Sequence, residues 1–226
     1  MTASPSRLVI VGDSMFAEIA HEYFQYDSPY DVAAFSVEQE YLRRRHFRGL
    51  PVFPFESLAQ ELDPAEYSVF VAVTYGQLNR LRTRLMEAAR LSGFTLASYV
   101  SSQAFVWHNV EIGEHCFVFE DNTLQPFVRV GRNCVLWSGN HVGHHSTVGN
   151  NVFVSSHVVI SGSVRIGDNC FLGVNSTLVN DITVGEDVWL GPDVVITRDV
   201  APNTVWSPPR SEKRRATARE HFGVDA

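Results

Sequence analysis

Residues 142–170, which read VGHHSTVGNNVFVSSHVVISGSVRIGDNC, decide the fold because an aliphatic side chain returns at every sixth position. The same period continues on both sides of this stretch without a break, which identifies an internal repeat. Ile, Val and Leu fill roughly a fifth to a quarter of ordinary positions, so chance does not produce such a series. The seventeen positions are Val100, Val106, Ile112, Val118, Leu124, Val130, Leu136, Val142, Val148, Val154, Ile160, Ile166, Leu172, Leu178, Val184, Leu190 and Ile196.

A longer period of eighteen residues groups the hexads three to a turn. It is visible in the glycines that follow the aliphatic residue, at Gly113, Gly131, Gly149, Gly167 and Gly185. Two residues after each glycine stands a residue placed for a tight, left-handed corner, at His115, Asn133, Asn151, Asn169 and Asp187. Three hexads per turn predict a triangular parallel β-solenoid on the order of 27 Å long, at ~4.8 Å per coil. A prism this narrow buries little surface, which favours lateral association of several copies.

The first part of the chain shows a different pattern, in which short apolar runs alternate with helical periodicity. Apolar runs at 8–11, 32–35 and 69–73 predict strands, whereas 15–26 and 77–91 predict helices. This alternation is typical of a small Rossmann-like α/β unit with a parallel sheet. We therefore divide the chain into an α/β domain at 1–98, a solenoid domain at 99–200 and a polar tail at 201–226, which leaves the coil axis at 202–209.

The composition argues against several function classes. The chain has 226 residues and a formal net charge of −7, with 18 Lys and Arg against 25 Asp and Glu, so nucleic acid is not the expected partner. No run approaches the roughly 18 apolar residues of a membrane span, and residues 1–6 lack a secretory pattern, so we expect no membrane association and a cytoplasmic protein. The three cysteines, Cys116, Cys134 and Cys170, share one eighteen-residue column, and we interpret them as free thiols in the core.

Three histidines fall within five positions of the most regular part of the repeat, at His141, His144 and His145. Because Val142 points inward, we expect these imidazoles on the outward side, at or near a corner. An imidazole titrates near neutral pH, so on a rigid wall it suits the role of a general base. Solvent exposure at a corner is the alternative interpretation for any one of them. A zinc site of the gamma carbonic anhydrase kind is disfavoured because that family's His-x4-His pair is absent, and we expect no metal.

Small residues on the coils after these histidines are candidates for ligand binding. Ser161-Gly162 and Gly173-Val174 would let a ligand approach the backbone, and an outward N–H near Gly162 would stabilise a developing oxyanion. The alternative is that the glycines only serve corner packing.

Two further segments are candidates for substrate binding. The turn Gly12-Asp13-Ser14 has the position of a nucleotide-binding turn, after a strand and at a helix N-terminus. Asn140 and His141 adjoin the other histidines and are candidates for contact with a substrate. Asn140 would alternatively form a stacked amide ladder with Asn122 in the core.

Together these motifs resemble the hexapeptide-repeat acyltransferases and, within them, the bacterial nucleotide-sugar acyltransferases of the NeuD/PglD type. The resemblance covers nearly the whole chain and rests on the α/β unit, the hexads, and the segments 142–149 and 165–176. It implies a left-handed β-helix, a homotrimer, acetyl-CoA as co-substrate between adjacent solenoids, and a nucleotide-linked sugar held partly by the α/β domain.

The same resemblance implies roles for particular residues. The catalytic base falls on His144, and the backbone that contacts CoA falls on Ser161, Gly162, Gly173 and Val174. The family commonly has an acidic residue directly after the base, where it orients the imidazole. This chain has His145 there.

From this resemblance we expect an acetyl-CoA-dependent N-acetyltransferase that modifies a nucleotide-linked amino-deoxy sugar used in surface polysaccharide. The expected mechanism is direct attack of the sugar amine on the thioester, with His144 as base and no acyl-enzyme. A sugar O-acyltransferase with the same base is one alternative. A non-catalytic trimeric scaffold that binds a nucleotide sugar is another.

Overall fold

The computed structural model describes residues 6–209, 213, 215 and 217–224. It has the predicted fold class, a mainly β chain in which a left-handed parallel β-helix follows a small N-terminal α/β domain. The elements of the first domain are β1 (Ser6–Val11), α1 (Met15–Tyr26), β2 (Tyr30–Val37), β3 (His46–Phe47), β4 (Leu50–Pro54), α2 (Leu58–Glu61), β5 (Tyr67–Val71), α3 (Arg80–Leu91) and β6 (Thr95–Leu96), with 3-10 turns at Gln39–Tyr41 and Phe55–Ser57.

The sheet of the α/β domain has the strand order β3-β4-β2-β1-β5-β6. All of its pairings are parallel except that of β3 with β4, a hairpin that the sequence did not predict. The long helix α3 begins at Arg80 and not at residue 77, because the three residues before it have left-handed φ angles of 55°, 49° and 64°. Its buried face holds Arg82, Leu85, Met86 and Ala89, the spacing of one helical stripe.

The β-helix has three faces built from two-residue strands. Face 1 holds β7 (Tyr99–Val100), β10 (Phe117–Val118), β13 (Val135–Leu136), β16 (Phe153–Val154), β19 (Phe171–Leu172), β22 (Trp189–Leu190) and β24 (Val205–Trp206). Face 2 holds β8 (Phe105–Val106), β11 (Thr123–Leu124), β14 (His141–Val142), β17 (Val159–Ile160), β20 (Thr177–Leu178) and β23 (Val195–Ile196). Face 3 holds β9 (Glu111–Ile112), β12 (Arg129–Val130), β15 (Thr147–Val148), β18 (Arg165–Ile166) and β21 (Thr183–Val184). The tail carries α4 (Ala218–Phe222).

The hexad prediction is confirmed by the pairing register. Each strand pairs with the strand eighteen residues later, as Phe117 does with Val135, and the aliphatic residues from Val118 onward are buried. Val100 departs from the pattern, with 40% of its surface exposed, because it lies in the first coil and has a neighbouring coil on one side only. The prediction that 202–209 leaves the coil axis is wrong, since β24 pairs with β22 and extends face 1.

The corners between faces 3 and 1 have the predicted left-handed backbone. His115, Asn133, Asn151, Asn169 and Asp187 have φ angles of 57° or 58°. The three cysteines are free and buried, as predicted. The sequence pattern therefore defines both the inward residues and the corner residues of the coils.

The α/β domain packs on face 1 and on this column of corners. Arg82 is 1% exposed and donates to the backbone oxygens of Val71 (3.1 Å), Asn133 (2.7 Å) and His115 (3.0 Å). The N–H of Val71 donates to His115 Nε2 at 2.9 Å, so Nε2 carries no proton and Nδ1–H donates to Asn133 Oδ1 at 2.8 Å. These bonds fix the domain on the β-helix, with its sheet over face 1.

Candidate active site

His144 and His145 lie at the corner between faces 2 and 3, and both are exposed, as predicted. His145 occupies the left-handed corner position with φ 60°. The backbone N–H of His144 donates to Gln125 Oε1 of the preceding coil at 2.9 Å. The corner therefore presents two imidazoles to solvent from a fixed backbone.

The two imidazoles contact each other through their Nδ1 atoms, which are 3.1 Å apart. Their planes are nearly perpendicular at 84°, and His145 packs against the Phe127 ring with a centroid distance of 4.6 Å. A contact of this length between two nitrogens needs one proton, donated by one ring to the other. In the described part of the chain no carboxylate forms an ion pair with either ring. The side chain that hydrogen-bonds to the His144 ring at this corner is therefore the neighbouring imidazole of His145.

Gly162 lies directly beside the His144 ring. A Cβ at Gly162 would stand 2.7 Å from His144 Cε1 and 2.9 Å from Nε2, which is closer than real side chains approach. The glycine therefore makes room for the imidazole. Its N–H donates to Asn180 Oδ1 at 3.0 Å, so this N–H is engaged within the chain.

The predicted acyl-carrier contacts fall at two different corners. Ser161 and Gly162 share the corner of His144, whereas Gly173 and Val174 lie between faces 1 and 2. Gly173 packs against the next coil, and Val174 is 43% exposed. One chain does not bring these four residues into one site.

The predicted substrate contacts at Asn140 and His141 differ in their placement. His141 is half-buried on β14 of face 2. Asn140 is 1% exposed, its Nδ2 donates to Trp137 O, and its Oδ1 accepts from the N–H of Val158 at 2.7 Å. The amide is satisfied inside the β-helix, which matches the core interpretation and does not present Asn140 to a ligand.

Gly12, Asp13 and Ser14 line a cavity of about 280 Å³ at the carboxyl ends of β1, β2 and β5. This edge is where open α/β sheets bind ligands. Gly12 has φ 126°, and a Cβ there would lie 2.9 Å from Ala72 O, so the turn requires glycine. Glu38 also lines the cavity and is held by two bonds from Arg84, of 2.8 and 3.0 Å.

A second cavity of about 230 Å³ lies between the α/β domain and the β-helix, and Thr74 lines both cavities. Tyr75 packs on Phe171 at 4.5 Å, while Trp137 and Val174 complete the wall. Sequence reasoning missed Thr74 and Tyr75. Their only sequence signal is that they follow the third apolar run, whose carboxyl end lies at the same sheet edge as the Gly12 turn.

Comparisons with known proteins place these features in a family context. Residues 163–198 match the hexapeptide repeat of succinyl-transferase, and residues 127–162 and 145–180 match the bacterial transferase hexapeptide of six repeats. No curated protein matches the chain. Among the described residues, no helix is both long and apolar enough to cross a bilayer, and no three His, Cys, Asp or Glu side chains group as metal ligands.

Several solved structures are similar over most of the chain. The acetyltransferase domain of PglB from Neisseria gonorrhoeae FA1090 is 22% identical with a TM-score of 0.79, covering 88% of this chain and 95% of that one. PerB from Caulobacter crescentus, in complex with CoA and GDP-perosamine, is 25% identical with a TM-score of 0.77, covering 88% and 92%. WeeI from Acinetobacter baumannii AYE is 18% identical with a TM-score of 0.62, covering 88% and 94%.

Proposed function

Because residues 127–198 match models of hexapeptide-repeat transferases, we propose that this chain is an acetyl-CoA-dependent N-acetyltransferase. Its acceptor is the amino group of a nucleotide-linked amino-deoxy sugar of the kind used in surface polysaccharide. The observation that carries the proposal is the His144 imidazole, set over Gly162 and bonded through Nδ1 to His145. The likeness to PerB, whose structure holds CoA and GDP-perosamine, supports the choice of donor and acceptor.

In this mechanism His144 is the general base. Its Nδ1–H donates to His145 Nδ1, which leaves Nε2 unprotonated and without a hydrogen-bond partner in the described part of the chain. Nε2 takes a proton from the sugar amine as the nitrogen attacks the thioester carbonyl. The C–S bond then breaks, the amide forms, and the departing CoA thiolate takes the proton from Nε2, which returns His144 to its neutral form.

The cysteines support direct attack without an acyl-enzyme. Cys116, Cys134 and Cys170 are fully buried inside the β-helix. Burial raises the pKa of Cys134 well above its usual range and that of Cys170 to about 11. A thiolate nucleophile needs exposure and a low pKa, so the sugar amine is the better nucleophile here.

The nucleotide sugar is assigned to the two cavities that share Thr74. The nucleotide occupies the Gly12 cavity, where the N-terminus of α1 favours a phosphate, and the sugar extends toward Tyr75 and Trp137. A 6-deoxy sugar carries an apolar methyl group, which suits the aromatic wall of the second cavity.

The position of the base supports a homotrimer. The α/β domain and the cavity at Tyr75 lie against face 1, and the Gly12 cavity lies within the α/β domain, whereas the corner of His144 is the one opposite face 1. The prism therefore stands between the base and the cavities of its own chain. In the trimer a neighbouring subunit supplies His144 to each acceptor site, and Val174 of one chain lies near Gly162 of the next.

The experiment that tests the function follows free-thiol release from acetyl-CoA against a panel of UDP-, dTDP- and GDP-linked amino-deoxy sugars. The variant His144→Ala is expected to lose about 100-fold or more in turnover. His108→Ala is the matched control, because His108 is an exposed histidine in the same corner column, two coils away. Near-normal release by His144→Ala would contradict the assignment, and release only with hydroxyl acceptors would favour O-acyl transfer.

A further inference from the structure

The backbone N–H groups around His144 are all engaged within the chain. Gly143 donates to Ile160 O at 2.7 Å, and Ser163 donates to His144 O at 2.8 Å. The N–H groups of His144 and Gly162 donate to side-chain oxygens of Gln125 and Asn180. A thioester carbonyl that arrives beside His144 therefore meets none of these four donors free. The negative charge that develops on this oxygen during attack needs another donor.

Asn180 presents such a donor at this corner. An N–H group can only donate, so the Asn180 atom that faces Gly162 is the carbonyl oxygen, and Nδ2 is turned away from the backbone. Asn180 is exposed, and no group in the described part of the chain accepts from Nδ2. The side chain reaches back one coil to Gly162, the residue that the His144 ring covers. Its free NH2 group thus lies on the same side of the corner as the proposed base.

We propose that Asn180 is a further catalytic residue, whose Nδ2 donates to the carbonyl oxygen of the thioester and stabilises the oxyanion formed on attack. The inference rests on the proposed acetyl transfer and deepens it. No proton leaves Asn180, since the amide only donates a hydrogen bond while the C–N bond forms and the C–S bond breaks. The bond from Gly162 N–H polarises the carboxamide and strengthens its NH2 as a donor.

The test compares two substitutions that separate the NH2 group from the rest of the side chain. Asn180→Asp retains an oxygen acceptor for Gly162 N–H but replaces the NH2 with a negative oxygen that repels the oxyanion. We expect kcat to fall by about 100- to 1,000-fold, the range seen when an oxyanion donor is lost. Asn180→Ala frees the N–H of Gly162, which then serves as a substitute donor, so its loss is expected to be at least tenfold smaller.

Asn109→Asp is the matched control for this comparison. Asn109 Oδ1 also accepts a backbone N–H, that of Phe127 at 3.0 Å, in the same series of corners but two coils from His144. The control carries the same new charge and should retain wild-type kcat. Equal losses for Asn180→Asp and Asn180→Ala, or wild-type rates for both, would overturn the proposal.

A binding measurement separates this proposal from the proposed function. By calorimetry, Asn180→Asp is expected to weaken the binding of acetyl-CoA about tenfold and to leave CoA binding unchanged, since only acetyl-CoA carries the carbonyl. Equal weakening of both ligands, or of neither, overturns the role of Asn180. Absence of thiol release by the wild-type protein with every acceptor overturns the proposed function, whereas a selective loss of acetyl-CoA affinity would still support the contact to Asn180.

Discussion

The buried imidazole of His115 predicts an acid-sensitive contact between the α/β domain and the β-helix. Burial, and secondarily the adjacent Arg82 guanidinium, hold the pKa of His115 well below its usual 6.5. The ring accepts from Val71 N–H and donates to Asn133, so it is neutral in the folded protein. The unfolded chain binds a proton at this residue below pH 6.5, whereas the folded protein does not. Folding stability is therefore complete above pH 6.5 and falls as the pH is lowered.

The size of this effect follows from proton linkage. If the folded state binds no proton at His115 over the range, lowering the pH from 7.0 to 5.5 costs about 1.3 kcal/mol of unfolding free energy. The variant His115→Asn removes the titrating group and retains a residue suited to φ 58°, as at the equivalent corner Asn133. The variant leaves the N–H of Val71 without its acceptor, so it should be less stable by about 1–3 kcal/mol at neutral pH. The free energy of unfolding of His115→Asn should also fall less than that of the wild type as the pH is lowered.

The assay is urea unfolding followed by far-ultraviolet circular dichroism at pH 7.0, 6.5, 6.0 and 5.5. One protein concentration is used throughout, because association makes stability depend on concentration. The pKa of His21 is also lowered by burial, but its contribution is common to both proteins and cancels in the difference. The exposed-site control His108→Asn should retain the wild-type slope. Parallel pH profiles for the wild type and His115→Asn would refute the assignment of a neutral buried imidazole.

Three other substitutions test the site and the docking of the domain. The variant His145→Asp puts Oδ1 where the imidazole Nδ1 stands and tolerates φ 60°, so it should retain turnover. Because a carboxylate favours the imidazolium form of His144, the acidic limb of the pH profile of kcat should move upward by about one pH unit. An unmoved limb in a pH-rate series would argue against the pairing of the two side chains. The variant Gly162→Ala places a methyl group against the His144 ring and should lower kcat, measured by thiol release, by about 100-fold. The melting temperature, measured by calorimetry, should change little. Wild-type turnover would mean that the position of the ring is unimportant. The variant Arg82→Met removes the donors to three buried carbonyls and should lower the free energy of unfolding by about 2–4 kcal/mol in urea titrations. Wild-type stability of this variant would show that these bonds do not fix the α/β domain on the β-helix.

The β-helix could be predicted from the sequence because its determinants are local and repeated. Each coil needs an inward aliphatic residue and a left-handed corner residue every six positions. The aliphatic residues and one of the three corner columns are visible in residue types alone. The first coil shows the limit of this reasoning. Val100 fits the pattern but has a neighbouring coil on one side only, so the period predicts its direction and not its burial.

The docked surface could not be predicted because its contacts join residues far apart in the chain. In the sequence Arg82 is indistinguishable from the other arginines of its helix, yet it donates to the carbonyl oxygens of His115 and Asn133, which lie 33 and 51 residues later. The cavity at Tyr75 likewise arises only when the α/β domain meets Phe153 and Phe171. No local sequence pattern predicts these contacts, since each of these side chains would be equally compatible with its own helix, strand or loop if it were exposed to solvent.

The candidate site illustrates how a repeat fold separates stability from chemistry. The corner column that contains His144 continues with Gly162 and Asn180 at intervals of eighteen residues, and the inward aliphatic residue of each coil is two positions away. Burial fixes those aliphatic residues, whereas the column itself faces solvent and is free to vary. Glycine in the second position admits the imidazole of the first, and the asparagine in the third binds the N–H that the glycine exposes. Three outward residues on consecutive coils thus provide the proposed base (His144), the room for its ring (Gly162) and the proposed hydrogen-bond donor (Asn180). None of them requires a change in the aliphatic core of the β-helix.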